Sequence, residues 1–207
     1  MKIFWFAYDD SKDLDSLSKE IDRLNIDGVL LPWVIGIGDP FIRLARSINE
    51  SHRFKYMVAV RPYLVSPQYL AMTCNAIDQI QPDRLMLNFV AGDIKDHELN
   101  YGGVIGNINA KTSLDDRKQY LAKFLESFQD IYENRPQIKK PKICVSGTSD
   151  KIIEISNKYS DYNLCDSRPF EEGFVGTHAK QIVCVNPMIR DDKDDYDKML
   201  KDTGPEI

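Results

Sequence analysis

Histidine and cysteine are scarce in this chain. Three histidines (His52, His97, His178) and four cysteines (Cys74, Cys144, Cys165, Cys184) occur among 207 residues. No two cysteines stand in C-x-x-C spacing and the histidines are scattered, which argues against a zinc site. Thiols without a framework spacing suit a reducing compartment, so a cytoplasmic location is expected. Long apolar runs are also missing, and none approaches the length of a membrane-spanning helix. The opening segment has one Lys, then IFWFAY, then acids. It lacks a small-residue cleavage pattern and reads as a first strand rather than a signal peptide. There is no excess of basic residues. The formal charge of −5 argues against nucleic acid as a partner, because phosphate neutralisation needs a basic face. No G-x-G-x-x-G follows the first strand, which weakens a dinucleotide-binding reading.

What is present is enough apolar material for a core, 43% of residues, in one large domain or two small ones. Apolar runs recur as strands at Lys2–Ala7, Gly28–Trp33, Tyr56–Val60, Leu85–Val90, Lys142–Val145, Tyr162–Cys165 and Gln181–Val185. The last is expected to extend past Pro187 to Ile189. Helical spacing lies between them. Leu17, Ile21 and Leu24 follow Asp13 or Asp15; Pro40 opens a helix through Ile48. Pro67 opens one with Leu70, Cys74 and Ile77 on one face. Ser113 or Asp115 starts another with the stripe Leu121, Phe124, Leu125 and Phe128. A further helix runs through Tyr159. A polar stretch at 92–112 carries Gly102, Gly103 and Gly106, and a loop of that length in a compact enzyme is often functional. Strict alternation of strand and helix predicts a parallel sheet with right-handed crossovers. It leaves open whether the sheet is a closed barrel or an open doubly wound sheet.

In either fold, chemistry gathers past the C-terminal ends of the strands. Ser146-Gly147-Thr148-Ser149 lies between a strand and a helix. Gly147 allows close backbone approach, Thr148 and Ser149 add hydroxyl donors, and a helix N-terminus favours an anion. An ordinary N-cap is the competing reading. Asn88 interrupts an apolar strand and needs a partner, because a buried unpaired amide costs roughly 1–3 kcal/mol. Arg61, ending the third strand, suits an anionic substrate or a structural salt bridge equally. His97, in the long polar loop, is the remaining candidate proton donor. Cys144, Cys165 and Cys184 read as small buried hydrophobes.

The wording of residues 54–93 is specific. V-A-V-R-P, then S-P, an amphipathic helix, and D-R-L-M-L-N-F-V-A-G-D closely resemble the bacterial-luciferase-like flavin monooxygenases, nearest to the alkanesulfonate monooxygenase branch. The resemblance is clear again over 141–165. It implies a parallel (β/α) TIM-type barrel, here incomplete, with seven strands and no eighth βα unit. The barrel would occupy 1–190, followed by an acidic tail at 191–207. It implies FMN as cofactor, reduced by a separate flavin reductase, and a monooxygenase reaction with O2 on a small organosulfur or related substrate. Ser146, Gly147, Thr148 and Ser149 would grip the flavin phosphate, and Asn88 would meet the polar edge of the ring. Small Ala91 and Gly92 would leave room for it. A non-proline cis peptide near Val58–Ala59 would lie beneath it, placing Ala59 at the cofactor. Asp39-Pro40-Phe41 matches a family segment that only starts a helix. Relatives are commonly oligomers, and an unfinished barrel would expose strand edges, so self-association is expected.

The chain also departs from the sulfonate enzymes. Ile37 stands where they carry Cys, Asn186 where they carry His, Asp9 and Asp10 where they offer a His, and Lys118 where relatives place a Tyr. These departures favour a competing reading, a flavin-binding pseudoenzyme without catalysis. A structural subunit of a luciferase-like assembly is a further alternative.

Overall fold

The structure, a computed structural model, describes residues 2–7, 26–34, 38–50, 53–92, 112–164 and 180–185. Seven parallel strands form one sheet: β1 (Lys2–Phe6), β2 (Gly28–Leu31), β3 (Lys55–Val60), β4 (Leu85–Phe89), β5 (Lys142–Ser146), β6 (Tyr162–Leu164) and β7 (Lys180–Val185). Four described helices lie between them: α1 (Pro40–Ser47), α2 (Pro67–Ile80), α3 (Leu114–Glu133) and α4 (Asp150–Tyr159). The fold is the expected α/β barrel of the TIM type, with seven strands in chain order and no eighth unit among the described residues.

The ring is short by one unit, yet its hydrogen bonding closes. β7 pairs with β1 in parallel, from Lys2 opposite Ile182 to Trp5 opposite Val185. The exposed edges inferred from a missing unit therefore do not exist at β1 and β7. Closure satisfies their backbone groups, so an edge-driven argument for self-association falls away.

Side chains alternate across the barrel wall, as the two-residue strand period requires. Phe4, Leu30, Met57, Met86, Cys144, Tyr162, Leu164 and Ile182 pack together inside the ring. Val29, Val58, Val60, Leu87, Phe89 and Val145 point outward against the helices. The periodicity of α2 and α3 meets that outer layer as expected: Leu70, Cys74 and Ile77 on α2, and Leu121, Phe124, Leu125 and Phe128 on α3, are buried. Phe89, Phe124, Phe128 and Tyr132 form a chain of rings 5.1–6.2 Å apart, a spacing at which aromatic pairs add to simple burial.

Helix starts follow the expected residues. The Asp39 carboxylate accepts from the Phe41 and Ile42 amides at 2.8 and 3.0 Å, so this segment does start a helix. Ser66 caps α2. Ser113 caps α3, accepting from the Asp116 amide while its hydroxyl donates to the Asp116 carboxylate. Pro62–Leu64 forms a short 3₁₀ turn after β3 that the sequence pattern does not foretell.

Cys144 lies wholly buried in the lumen and Cys74 is buried on the inner face of α2, and neither is in a disulfide. Burial pushes the Cys74 thiol up to about 12, only partly offset by the neighbouring Tyr132 hydroxyl. It is an inert core residue at neutral pH.

Candidate functional site

The C-terminal ends of the strands bring most of the expected residues to one mouth. Strand register makes Ala59 the partner of Asn88, and Asn88 the partner of Cys144. Cys144 belongs to the lumen, and Ser146 lies two residues further along β5. Asn88, Cys144 and Ser146 therefore share the inward face. The Ser146 hydroxyl donates to Asn88 Oδ1 at 2.7 Å. This is the partner that a buried amide requires, and it is a side chain 58 residues away rather than nearby backbone. With Oδ1 engaged, the two N–H donors on Asn88 Nδ2 have no protein partner among the described residues.

Beside this pair the chain turns from β5 into α4. Gly147 has φ of 128°, a conformation essentially confined to glycine. A Cβ there would lie 3.1 Å from the Ile152 methyl. Both polar groups of Gly147 are anchored to β6: its N–H donates to the Leu164 carbonyl at 3.0 Å, and its carbonyl accepts from Asn163 Nδ2 at 3.2 Å. Asn163 also donates to the Val145 carbonyl at 3.0 Å. Sequence reasoning missed this clamp, although a polar residue inside a short apolar strand was its available signal.

Thr148 and Ser149 are half-buried. Ser149 occupies the N-cap position of α4 but makes no side-chain capping bond, unlike Asp39, Ser66 and Ser113. The ordinary N-cap reading of Ser149 therefore does not hold here. The first turn of α4 carries Asp150, whose charge already complements the helix dipole.

Other expected features differ. The Val58–Ala59 bond is trans, as is every described peptide bond. The β3–β4 ladder runs unbroken through Val58–Leu87, Ala59–Asn88 and Val60–Phe89, with no bulge. The expected cis peptide is thus corrected, since a regular ladder on both sides holds the backbone in extended geometry. Gly92 has φ of 83°, but a Cβ on it would meet the Tyr63 hydroxyl at 2.6 Å. The space that a small residue leaves at Gly92 is thus filled from the 3₁₀ turn. Ala91 is buried.

Arg61 follows β3, with its guanidinium 4.8 Å from the centroid of the Trp33 ring just past β2. This cation–π contact orients a cation at the mouth. Lys118 sits on α3, mostly buried and paired with Asp115 at 3.2 Å. His52, His97, His178, Ile37, Asn186, Asp9, Asp10 and Cys165 lie outside the described residues. Among the described residues no cluster of His, Cys, Asp or Glu could hold a metal ion. No described helix is long and apolar enough to cross a membrane.

No family model matches the chain. Solved structures do resemble it. An F420-dependent secondary alcohol dehydrogenase in complex with an F420–acetone adduct matches with a TM-score of 0.67 at 13% identity, over 88% of this chain and 68% of that one. EDTA monooxygenase from Chelativorans sp. BNC1 matches with a TM-score of 0.68 at 13% identity, over 98% and 68%. A riboflavin lyase with modified FMN and riboflavin matches with a TM-score of 0.66 at 12% identity, over 82% and 55%. The chain thus spans between 55% and 68% of the length of these proteins. At such identities the likeness is one of fold, a parallel β/α barrel.

Proposed function

We propose that the chain binds a flavin-type cofactor at the C-terminal mouth of its barrel and acts as a luciferase-like oxidoreductase, in its fullest form an FMN-dependent monooxygenase. The observation that carries this reading is the Asn88–Ser146 pair, which leaves amide donors at the mouth of an otherwise apolar lumen. A flat ring with carbonyl and imine acceptors along one edge fits such donors. The Gly147 turn, the half-buried hydroxyls of Thr148 and Ser149, and the uncapped α4 N-terminus suit its phosphate. Ala59 and Ala91 offer small walls, and Arg61, steadied on Trp33, suits an anionic group on cofactor or substrate. A bound flavin-type cofactor would supply the redox chemistry. The residues of the chain orient it, contact its polar edge and keep water from the apolar lumen.

A separate reductase would supply reduced FMN, and the chain would associate with itself. A small organosulfur compound is the substrate class that the sequence resemblance favours. The second reading is a flavin-binding protein without oxygenase activity, favoured by Ile37 and Asn186 in place of residue types that hydrogen-bond or donate protons. The test is anaerobic titration with reduced FMN, with F420 as a parallel arm, followed by rapid mixing with O2. Saturable binding, weakened at least severalfold by T148A/S149A, is the expected result. Absence of binding to either cofactor would overturn the proposal. Hydrogen peroxide as the sole oxygen product across a panel of organosulfur substrates would favour the second reading.

A further inference from the structure

A second concave site lies at the opposite end of the barrel. It is a cavity of about 260 Å3 among the residues that open β3, β4, β5 and β6 and the connectors before them. Four lysines line it, Lys55, Lys139, Lys140 and Lys142, against two acids, Asp78 and Asp83. Its wall also includes Leu85, Met86 and Tyr162, which are buried. A cationic rim over an apolar wall is notable in a chain whose formal charge is −5.

Two of the four cations converge on Asp83. Lys139 pairs with the Asp83 carboxylate at 2.5 Å, and Lys55 donates to the Asp83 carbonyl. Lys142 is engaged by Asp161 at 2.6 Å. Lys140 is exposed and has no acidic partner among the described residues. The hydrogen bond from Lys139, with the nearby charges of Lys139, Lys55 and Lys142, holds the Asp83 carboxyl below its usual value. Asp83 itself stands in the left-handed region at φ of 65°, its N–H donating to Asp78 Oδ1 at 2.9 Å. The Asp83 carboxylate thus occupies the place of an anion among the lysines. Its pairing with Lys139 is more than half exposed on both sides, so opening it costs little.

We propose that this cavity binds a small organic phosphate monoester, with the phosphate taken by Lys139 and Lys140 in place of the Asp83 carboxylate and the organic group against Leu85, Met86 and Tyr162. Separate ammonium groups act as point charges suited to a tetrahedral dianion. The volume, below the usual range for drug-sized ligands, sets the size of the organic group at about one ring. The site lies at the far end of the barrel from the proposed flavin site and does not depend on it.

The test is calorimetric titration of the full chain, without flavin, using phenyl phosphate as probe, with inorganic phosphate and phenol as controls. Phenyl phosphate should bind saturably, more tightly than either control, and more weakly as salt is added. The exposed double substitution K139Q/K140Q should weaken it by about fivefold or more, while D83N should tighten it by about twofold or more by removing the competing carboxylate. Asn tolerates the left-handed backbone at this position, so D83N keeps the fold and leaves the proposal testable if the lysine variant misfolds. No saturable binding, inorganic phosphate bound as tightly as phenyl phosphate, or an affinity unmoved by D83N would each overturn it.

Discussion

The two ends of the barrel are built on opposite principles. At the N-terminal end, the buried polar groups are tied to one another, whereas Lys140 on the exposed rim has no acidic partner among the described residues. Arg84 is buried, donates from Nε to the Phe54 carbonyl at 2.7 Å and from Nη1 to Gln81 at 2.6 Å, and lies over the Phe54 and Tyr56 rings. Lys139–Asp83 and Lys142–Asp161 add ion pairs around it. At the C-terminal mouth, polar groups are held in place but not used up. Among the described residues, the Asn88 amide donors have no protein partner and Ser149 makes no side-chain capping bond, while Gly147 is pinned in a glycine-only conformation. Satisfied buried groups stabilise, whereas positioned but unsatisfied groups are the ones the proposed flavin site would use. The division parallels the barrel rule that the packed lower face serves stability while chemistry gathers at the upper face, with the proposed phosphate site as an addition on the exposed lower rim.

The contrast can be broken most directly at Arg84. Arg84→Met should cost about 3 kcal/mol, because it strands the buried Phe54 carbonyl and removes a charge-assisted bond. Chemical denaturation measures the loss. Flavin affinity, read on the still-folded fraction, should not move. At the mouth, Gly147→Ala should cost about 2 kcal/mol through its strained φ and the Ile152 contact, and should also abolish tight flavin binding. A stability loss with unchanged affinity would separate the turn from the site.

Alkaline pH sharpens the lower half. The folded state holds the Cys74 proton to about 12, whereas the unfolded chain releases it near 9.0. Stability from this source is full below pH 9 and is lost as pH rises toward 12, by about 1 kcal/mol at pH 10. Tyr132, raised chiefly by burial, acts in the same direction. Denaturation midpoints of the wild type and Cys74→Ala across pH 8–10.5 should converge as pH rises. Parallel curves would refute the assignment.

Capping gives the smallest effect and the finest discrimination. Ser113→Ala should cost about 1 kcal/mol, whereas Ser149→Ala should leave stability within about 0.5 kcal/mol. Thermal melts of the two variants compare them directly. If Ser149→Ala destabilises as much as Ser113→Ala, then Ser149 is an ordinary cap and loses its claim as a ligand group.

Much of this was legible in the chain itself. Alternation of two-residue and helical periods located all seven strands and the four described helices, with ends displaced by a residue or two where they fray. The polar residues Asn88 and Ser146 could be picked out one at a time, because each interrupts or ends an apolar run. The reading of Cys144 as a small buried hydrophobe also followed from its apolar neighbours, and its burial in the lumen bears it out. The cis peptide expectation failed because it was carried over from relatives, whereas local ladder geometry decides that bond.

The sequence by itself determined which segments are strands and helices and which of their faces seek the core, since both are set by neighbours within a few residues. Only the tertiary structure decided that seven strands close, because β1 and β7 lie at opposite ends of the described chain and closure depends on their mutual register. Only it placed Ser146 on Asn88, Tyr63 against Gly92, and Asn163 beneath Gly147. Those contacts join side chains whose approach is fixed by strand register and ring curvature, and no local pattern encodes either one.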